Sequence, residues 1–153
     1  RPKTIVAVGN AFVQRGIPDV AFISMVFPSG TIAHLEVSWL APSKLRRTAI
    51  VGSRKMAVYD DTEALEKVKI FDRGVDFRDP ETFGEFQLSY RTGDILSPRL
   101  SQSEPLAEET LEFLRAIKDN RLPKTDGRNG LRVVEALEAA QKSLEAGGIP
   151  ITL

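Results

Sequence analysis

The sequence has no cysteine and a single histidine, His34. The first absence excludes disulfides, thiolate metal sites and cysteine nucleophiles. It fits a reducing compartment, so a cytoplasmic protein is expected. The second excludes any site that needs two histidines. An excess of either charge is also missing. Lys+Arg and Asp+Glu both number 21, so the formal net charge is zero. A neutral chain has no general attraction for nucleic acid or an anionic membrane. It also repels its own copies little, which favours self-association. No apolar run approaches the roughly 18 residues of a membrane span. The opening Arg1-Pro2-Lys3-Thr4 does not read as a signal peptide. Neither phosphate-cradling motif, G-x-G-x-x-G or G-x-x-x-x-G-K-[ST], occurs, and H-E-x-x-H is absent too.

What is present describes a globular chain. Its 153 residues are 42% hydrophobic and 27% charged, which suits one domain over residues 1–153. The first two-thirds reads as strands. Thr4 to Val8 is apolar and β-branched, and Val20 to Phe27 is an apolar run ended by Pro28-Ser29-Gly30. Thr31 to Leu40 follows at once, predicting a hairpin. On that strand Ala33, Leu35, Val37 and Trp39 share one face, and Ile32, His34, Glu36, Ser38 and Leu40 the other. The alternation predicts a core face and a more polar face. Further strands are expected at Leu45 to Val51, Lys55 to Tyr59, Lys67 to Phe71 and Phe86 to Tyr90. Gly74 to Gly84 and Arg91 to Gln102 read as irregular.

The last third is helical. Ser103-Glu104-Pro105 marks a helix start, with Ser103 the expected cap and proline in the first turn. Leu106, Thr110, Phe113, Leu114 and Ile117 form an apolar stripe at helical spacing. After a connector containing Pro123, Thr125 or Asp126 caps a second helix. Its stripe runs through Gly130, Val133, Val134, Leu137, Ala140 and Leu144, and Gly147-Gly148 stops it. Strands followed by helices predict an α+β fold: a mostly antiparallel, open-faced sheet with two C-terminal helices packed on one face. The other face then needs water or a partner, and a homo-oligomer through the sheet is expected.

No complete catalytic site is visible. His34 lies mid-strand beside Glu36 and reads as a sheet-face residue, with no second ligand for a metal. Asp60-Asp61 reads as a turn, since adjacent carboxylates on a strand point to opposite faces. Lys44, Arg46 and Arg47 form a basic group after Pro42: a solvated strand edge, or an edge that binds a phosphate or carboxylate. Arg91-Thr92-Gly93-Asp94 is a Gly-Asp turn with an arginine beside it, or a functional loop. Trp39, the only tryptophan, reads as a core or interface anchor.

Several segments in order resemble a known family. They are Ser38-Trp39-Leu40-Ala41-Pro42-Ser43-Lys44-Leu45-Arg46, Val51-Gly52, Met56-Ala57-Val58-Tyr59-Asp60-Asp61 and Tyr90-Arg91-Thr92-Gly93-Asp94-Ile95 with Pro98. Glu104-Pro105-Leu106 with Glu108 follows, then Pro123, Asp126-Gly127, Gly130-Leu131, Val133-Val134, Leu137-Glu138-Ala139-Ala140 and Ser143-Leu144. Each is weak alone. Together they resemble the C-terminal α/β domain of the Gfo/Idh/MocA oxidoreductases, in the branches acting on sugars or nucleotide sugars.

The resemblance implies a two-domain, NAD- or NADP-dependent enzyme acting on a CH–OH group. A Rossmann domain would hold the cofactor. The C-terminal domain would supply part of the substrate pocket and the oligomer interface. Within this chain the resemblance implies no catalytic, cofactor or metal residue. The glycine fingerprint, the Glu-Lys-Pro lysine motif and the acid–histidine helix would all lie upstream of Arg1. The substrate-side candidates are Lys44, Arg46 and Arg91. The chain alone is expected to be inactive. The rival reading is a stand-alone assembly module that self-associates through its sheet.

Overall fold

The computed structural model describes residues 1–77, 88–100 and 103–153. The chain divides into two compact units, Arg1–Pro42 with Glu104–Leu153, and Ser43–Ser103. The fold is α+β, and every strand pairing described is antiparallel.

The first unit holds a four-stranded sheet and two helices. Strands β1 (Thr4–Asn10), β2 (Val20–Val26) and β3 (Ile32–Ser38) form a meander, with β2 in the middle of the three. The Pro28-Ser29-Gly30 turn closes the predicted hairpin, with Gly30 at φ 84° and its N–H donating to the Phe27 carbonyl. The fourth strand, β8 (Ile151–Thr152), pairs with β1 at the other edge. Two residues show no periodicity, so β8 was not foreseen.

Alternation sets the buried face. Ile5 and Ala7 are buried, and their register partners Met25 and Ile23 pack against the same cluster. Ala33 and Leu35 continue that face across β3. Helix α2 (Gly127–Glu145) supplies the second layer, packing against β1 and β8. The face it buries is Ala139, Ala140 and Ser143, with Ala136 and Leu144 beside them. The expected stripe was bulkier, and Val133, Val134 and Leu137 stay largely exposed. Small side chains let the helix backbone approach the sheet closely. Gly9 shows how closely: a Cβ there would lie 3.2 Å from Leu144 Cδ1 of the helix.

Ser143 is fully buried. Its Oγ accepts from Ala7 N–H at 2.9 Å and donates to the Ile149 carbonyl at 2.6 Å. One hydroxyl thus ties helix, sheet and C-terminal turn together. The Gly147-Gly148 stop is as expected. Gly148 N–H donates to Ser143 O and Gly147 N–H to Leu144 O, the paired bonds of a Schellman motif.

Helix α1 (Pro105–Lys118) starts one residue later than expected. Its cap is Glu104, not Ser103. The Glu104 carboxylate accepts from Leu106 N–H at 3.2 Å and Ala107 N–H at 2.6 Å. A charged acceptor at a helix N-terminus is favoured over a hydroxyl by the backbone dipoles. The α1 stripe of Leu106, Phe113, Leu114 and Ile117 is exposed, and only Ala116 is buried. Asp126, one of the two expected caps, caps α2 through Asn129 N–H at 2.8 Å. Between the helices Arg121 makes a two-pronged pair with Glu112, at 2.7 and 3.0 Å.

Trp39 is not a core residue: it is 90% exposed. Its N–H pairs with the Asp19 carbonyl, one step beyond the last β2–β3 pair.

The second unit is a four-stranded meander of β4 (Arg47–Val51), β5 (Met56–Asp60), β6 (Val68–Phe77) and β7 (Leu88–Leu96). Two expectations change here. Gly74 and the residues up to Phe77 belong to β6, and Arg91 to Leu96 belong to β7. Gly93 is a bulge residue rather than a turn residue. The register shifts between Phe71 and Arg73, and a Cβ on Gly93 would lie 2.6 Å from the Asp72 carbonyl oxygen. Phe86, Pro80 and Gly84 lie outside the described residues, as does Gln102. Among the described residues of this unit, Val58 is the buried hydrophobic one.

Candidate functional site

Chemistry-bearing side chains gather at one corner of the second sheet. The backbone pairing of β4 with β5 runs one step past Arg47↔Asp60, with Asp61 N–H donating to the Arg46 carbonyl at 3.0 Å. That step sets Arg46 opposite Asp61, so their side chains share a face. Tyr59, two residues before Asp61, shares it too.

The contacts follow this register. Arg46 Nη1 donates to Asp61 Oδ2 at 3.3 Å, Tyr59 OH to Asp61 Oδ1 at 2.9 Å, and Lys67 Nζ to Asp61 Oδ1 at 3.4 Å. The Tyr59 hydroxyl, then Arg46 and Lys67, hold the Asp61 carboxyl below its ordinary range. The same hydrogen bond pushes the Tyr59 phenol up. Asp60 has separate partners: its Oδ1 accepts from Thr62 N–H at 3.0 Å and Thr62 Oγ1 at 2.6 Å. Those bonds lower its pKa. The two aspartates therefore do not form an acid–base pair: Asp60 ends β5 opposite Arg47, and the turn begins at Asp61, one residue later than expected.

Lys44 is exposed ahead of β4. It makes no ion pair or hydrogen bond among the described residues. Arg91 lies in β7 with Gly74 as its register partner, and its side chain is outside the description. Strands β4 and β7 are opposite edges of the sheet. Three inter-strand steps separate them by about 14 Å, and the register sets Arg46 and Arg91 about 26 Å apart along the strands. Lys44 and Arg46 lie two residues apart just ahead of β4, and Arg91 is on the opposite edge strand. His34 accepts or donates a 3.1 Å bond with Ser24 Oγ and stacks on Phe22, as a sheet-face residue should.

Asp61 drew notice in the sequence only as half of the Asp60-Asp61 pair, and Tyr59 and Lys67 were not read there as site residues. The only local signal is the two-residue spacing of Tyr59 and Asp61. Arg46 joins them through strand register, which the sequence does not display.

A family model described as "Oxidoreductase family, C-terminal alpha/beta domain", the Gfo/Idh/MocA C-terminal family, matches residues 5–153. The chain belongs to this family. Solved structures of similar fold include UDP-N-acetylglucosamine 3-dehydrogenase GnnA from Acidithiobacillus ferrooxidans, 24% identical with a TM-score of 0.75. That match covers 95% of this chain and 41% of the other. Aldose–aldose oxidoreductase from Caulobacter crescentus is 15% identical with a TM-score of 0.69, covering 99% of this chain and 41% of that one. The WlbA dehydrogenase from Bordetella pertussis, solved with NADH and UDP-GlcNAcA, is 15% identical with a TM-score of 0.61. It is covered over 39% of its length, against 99% of this chain. No curated protein matches the sequence. The chain therefore spans about two-fifths of the length of these structures.

Such oxidoreductases imply a nicotinamide cofactor, but this Gfo/Idh/MocA C-terminal domain does not fit one. A dinucleotide's pyrophosphate sits at a helix N-terminus that follows a parallel strand and a glycine-rich turn. Here the described strands are all antiparallel. Both helix N-termini are filled by the chain's own carboxylates, Glu104 and Asp126. Among the described residues no helix is long and apolar enough to cross a membrane.

Proposed function

We propose that this chain acts as the substrate-side and assembly domain of an NAD- or NADP-dependent oxidoreductase of sugars or nucleotide sugars, working in the cytoplasm. The observation that carries the reading is a mismatch: an oxidoreductase-family domain whose helix N-termini are closed by carboxylates. The cofactor then belongs to a Rossmann domain of the same enzyme, and this domain forms one wall of the substrate pocket. Lys44 and Arg46 are the residues proposed to contact substrate, and Arg91 a separate contact at the far edge of the sheet. A nucleotide sugar suits two cations, because neutral hydroxyls need acceptors as well as donors.

The experiment is a titration of NADH and NADPH fluorescence with the chain, together with turnover assays on a sugar panel. The expected result is neither micromolar cofactor binding nor turnover. Either one would overturn the division of labour.

The chain is also proposed to self-associate through the open face of its first sheet. Among the described residues of the first unit, Val8, Phe22, Val26 and Ile32 are exposed on the face opposite α2. A monomer by light scattering at high concentration would sink this proposal. The same face supports the second reading, a stand-alone assembly module. The encoding reading frame separates the two: a Gly-rich βαβ segment upstream favours the oxidoreductase, a start codon just before Arg1 the module.

A further inference from the structure

We propose that Asp61 is a positioning residue for Arg46, fixing its guanidinium so that its remaining N–H groups, with Lys44, take an oxyanion of the substrate. The inference rests on the reading of Lys44 and Arg46 as substrate-binding residues. It goes beyond that reading by giving a role to a carboxylate that would otherwise oppose anion binding.

Three donors hold the Asp61 carboxylate. Tyr59 OH and Lys67 Nζ reach Oδ1, at 2.9 and 3.4 Å, and Arg46 Nη1 reaches Oδ2 at 3.3 Å. The Asp61 N–H to Arg46 carbonyl bond sets the two backbones in register. Arg46 is therefore held at both ends, at its carbonyl and at one nitrogen of its fork. Nη2 and Nε remain on a side chain that is 58% exposed. An arginine that is ordered before the ligand arrives loses less rotamer freedom on binding. The charge balance permits this role. Arg46 and Lys67 together outweigh Asp61 by one positive charge, and Lys44 adds another. The guanidinium fork matches either a phosphate or a carboxylate. The shared ligand chemistry is an oxyanion, from a nucleoside diphosphate or from a uronic acid.

Two roles for Asp61 predict opposite signs. As a mere counter-ion it weakens anion binding, so removing its charge tightens the complex. As a positioning residue it strengthens binding, so Asp61→Asn loosens the complex even though the variant is more cationic. The experiment is calorimetric titration of the 153-residue chain with UDP and, separately, with glucuronate. Binding of one probe alone identifies the source of the oxyanion. Asp61→Asn is expected to weaken the bound probe by about 3- to 10-fold. Asp61→Glu should recover part of the loss. If Asp61→Asn fails to fold by circular dichroism, Tyr59→Phe is read instead. It releases one donor without changing charge and should show a smaller loss in the same direction.

Unchanged or tighter binding by Asp61→Asn, or by Tyr59→Phe when that is the variant read, overturns the positioning role if Arg46→Ala still weakens binding. No binding of either probe by the parent chain, or binding indifferent to both Arg46→Ala and Lys44→Ala, overturns the underlying site reading.

Discussion

The two units of this chain use the same strand geometry for opposite purposes. The first sheet has a helix laid over it and a true interior: Ile5, Ala7, Ala139, Ala140 and Ser143 are all buried. Among its described residues the second sheet, taken alone, has one buried hydrophobic residue, Val58, and carries a corner of ionised side chains. A single layer buries little, because a core forms only between two layers. The lesson is that stability is concentrated in the first unit, while the second exposes polar groups that a ligand can reach.

The strongest challenge to this contrast is a pair of truncations. Ile5→Ala should cost about 2–5 kcal/mol, through lost transfer energy and a cavity under α2. Val58→Ala should cost about 1.5 kcal/mol, the worth of two methylenes. Urea unfolding followed by circular dichroism measures both. Equal losses would erase the proposed division.

Ser143→Ala should cost about 1–3 kcal/mol, because Ala7 N–H and the Ile149 carbonyl lose a buried partner together. Hydrogen exchange sharpens the same point. The Ala7 amide should be among the slowest in the parent chain and should accelerate in the variant. Asp126→Ala should cost about 1 kcal/mol by leaving Asn129 N–H uncapped. Glu104→Ala removes a cap with two acceptor contacts, yet α1 buries only Ala116, so its effect should stay local. Amide exchange at Leu106 and Ala107 would report it.

The smallest effect expected is a pH dependence. Hydrogen bonding to Arg121 holds the Glu112 carboxyl at about 2, against an ordinary 4.5. Its folded-state pKa is depressed, so the stability it contributes is present above the unfolded value. That contribution fades as pH falls from about 4.5 towards 2. The urea midpoint of Glu112→Gln should therefore change less across this window than that of the parent chain. Parallel profiles would refute the assignment.

Much of the local structure was legible in the residues. The Pro28-Ser29-Gly30 turn, the Gly147-Gly148 stop and the Asp126 cap depend on backbone angles and near-neighbour hydrogen bonds. The β3 alternation placed Ala33 and Leu35 on the face of the core cluster, but Val37 and Trp39, expected beside them there, are exposed. Where reading failed, a local signal had two outcomes. Gly93-Asp94 served equally for a turn and for a bulge, and the neighbouring strand selected the bulge. Ser103 was the expected cap of α1, and the charged Glu104 beside it takes that place.

By itself, then, the sequence determined the α+β class, the strand-then-helix order and the lack of a dinucleotide motif. Each follows from periodicity or from residues next to one another. The tertiary structure alone decided that β8 joins β1, that α2 turns its small residues inward, and that Arg46 meets Asp61 while Arg91 lies apart. Those outcomes join residues far apart in the chain. Strand register settles them, and register is set by which side chains the sheet must bury.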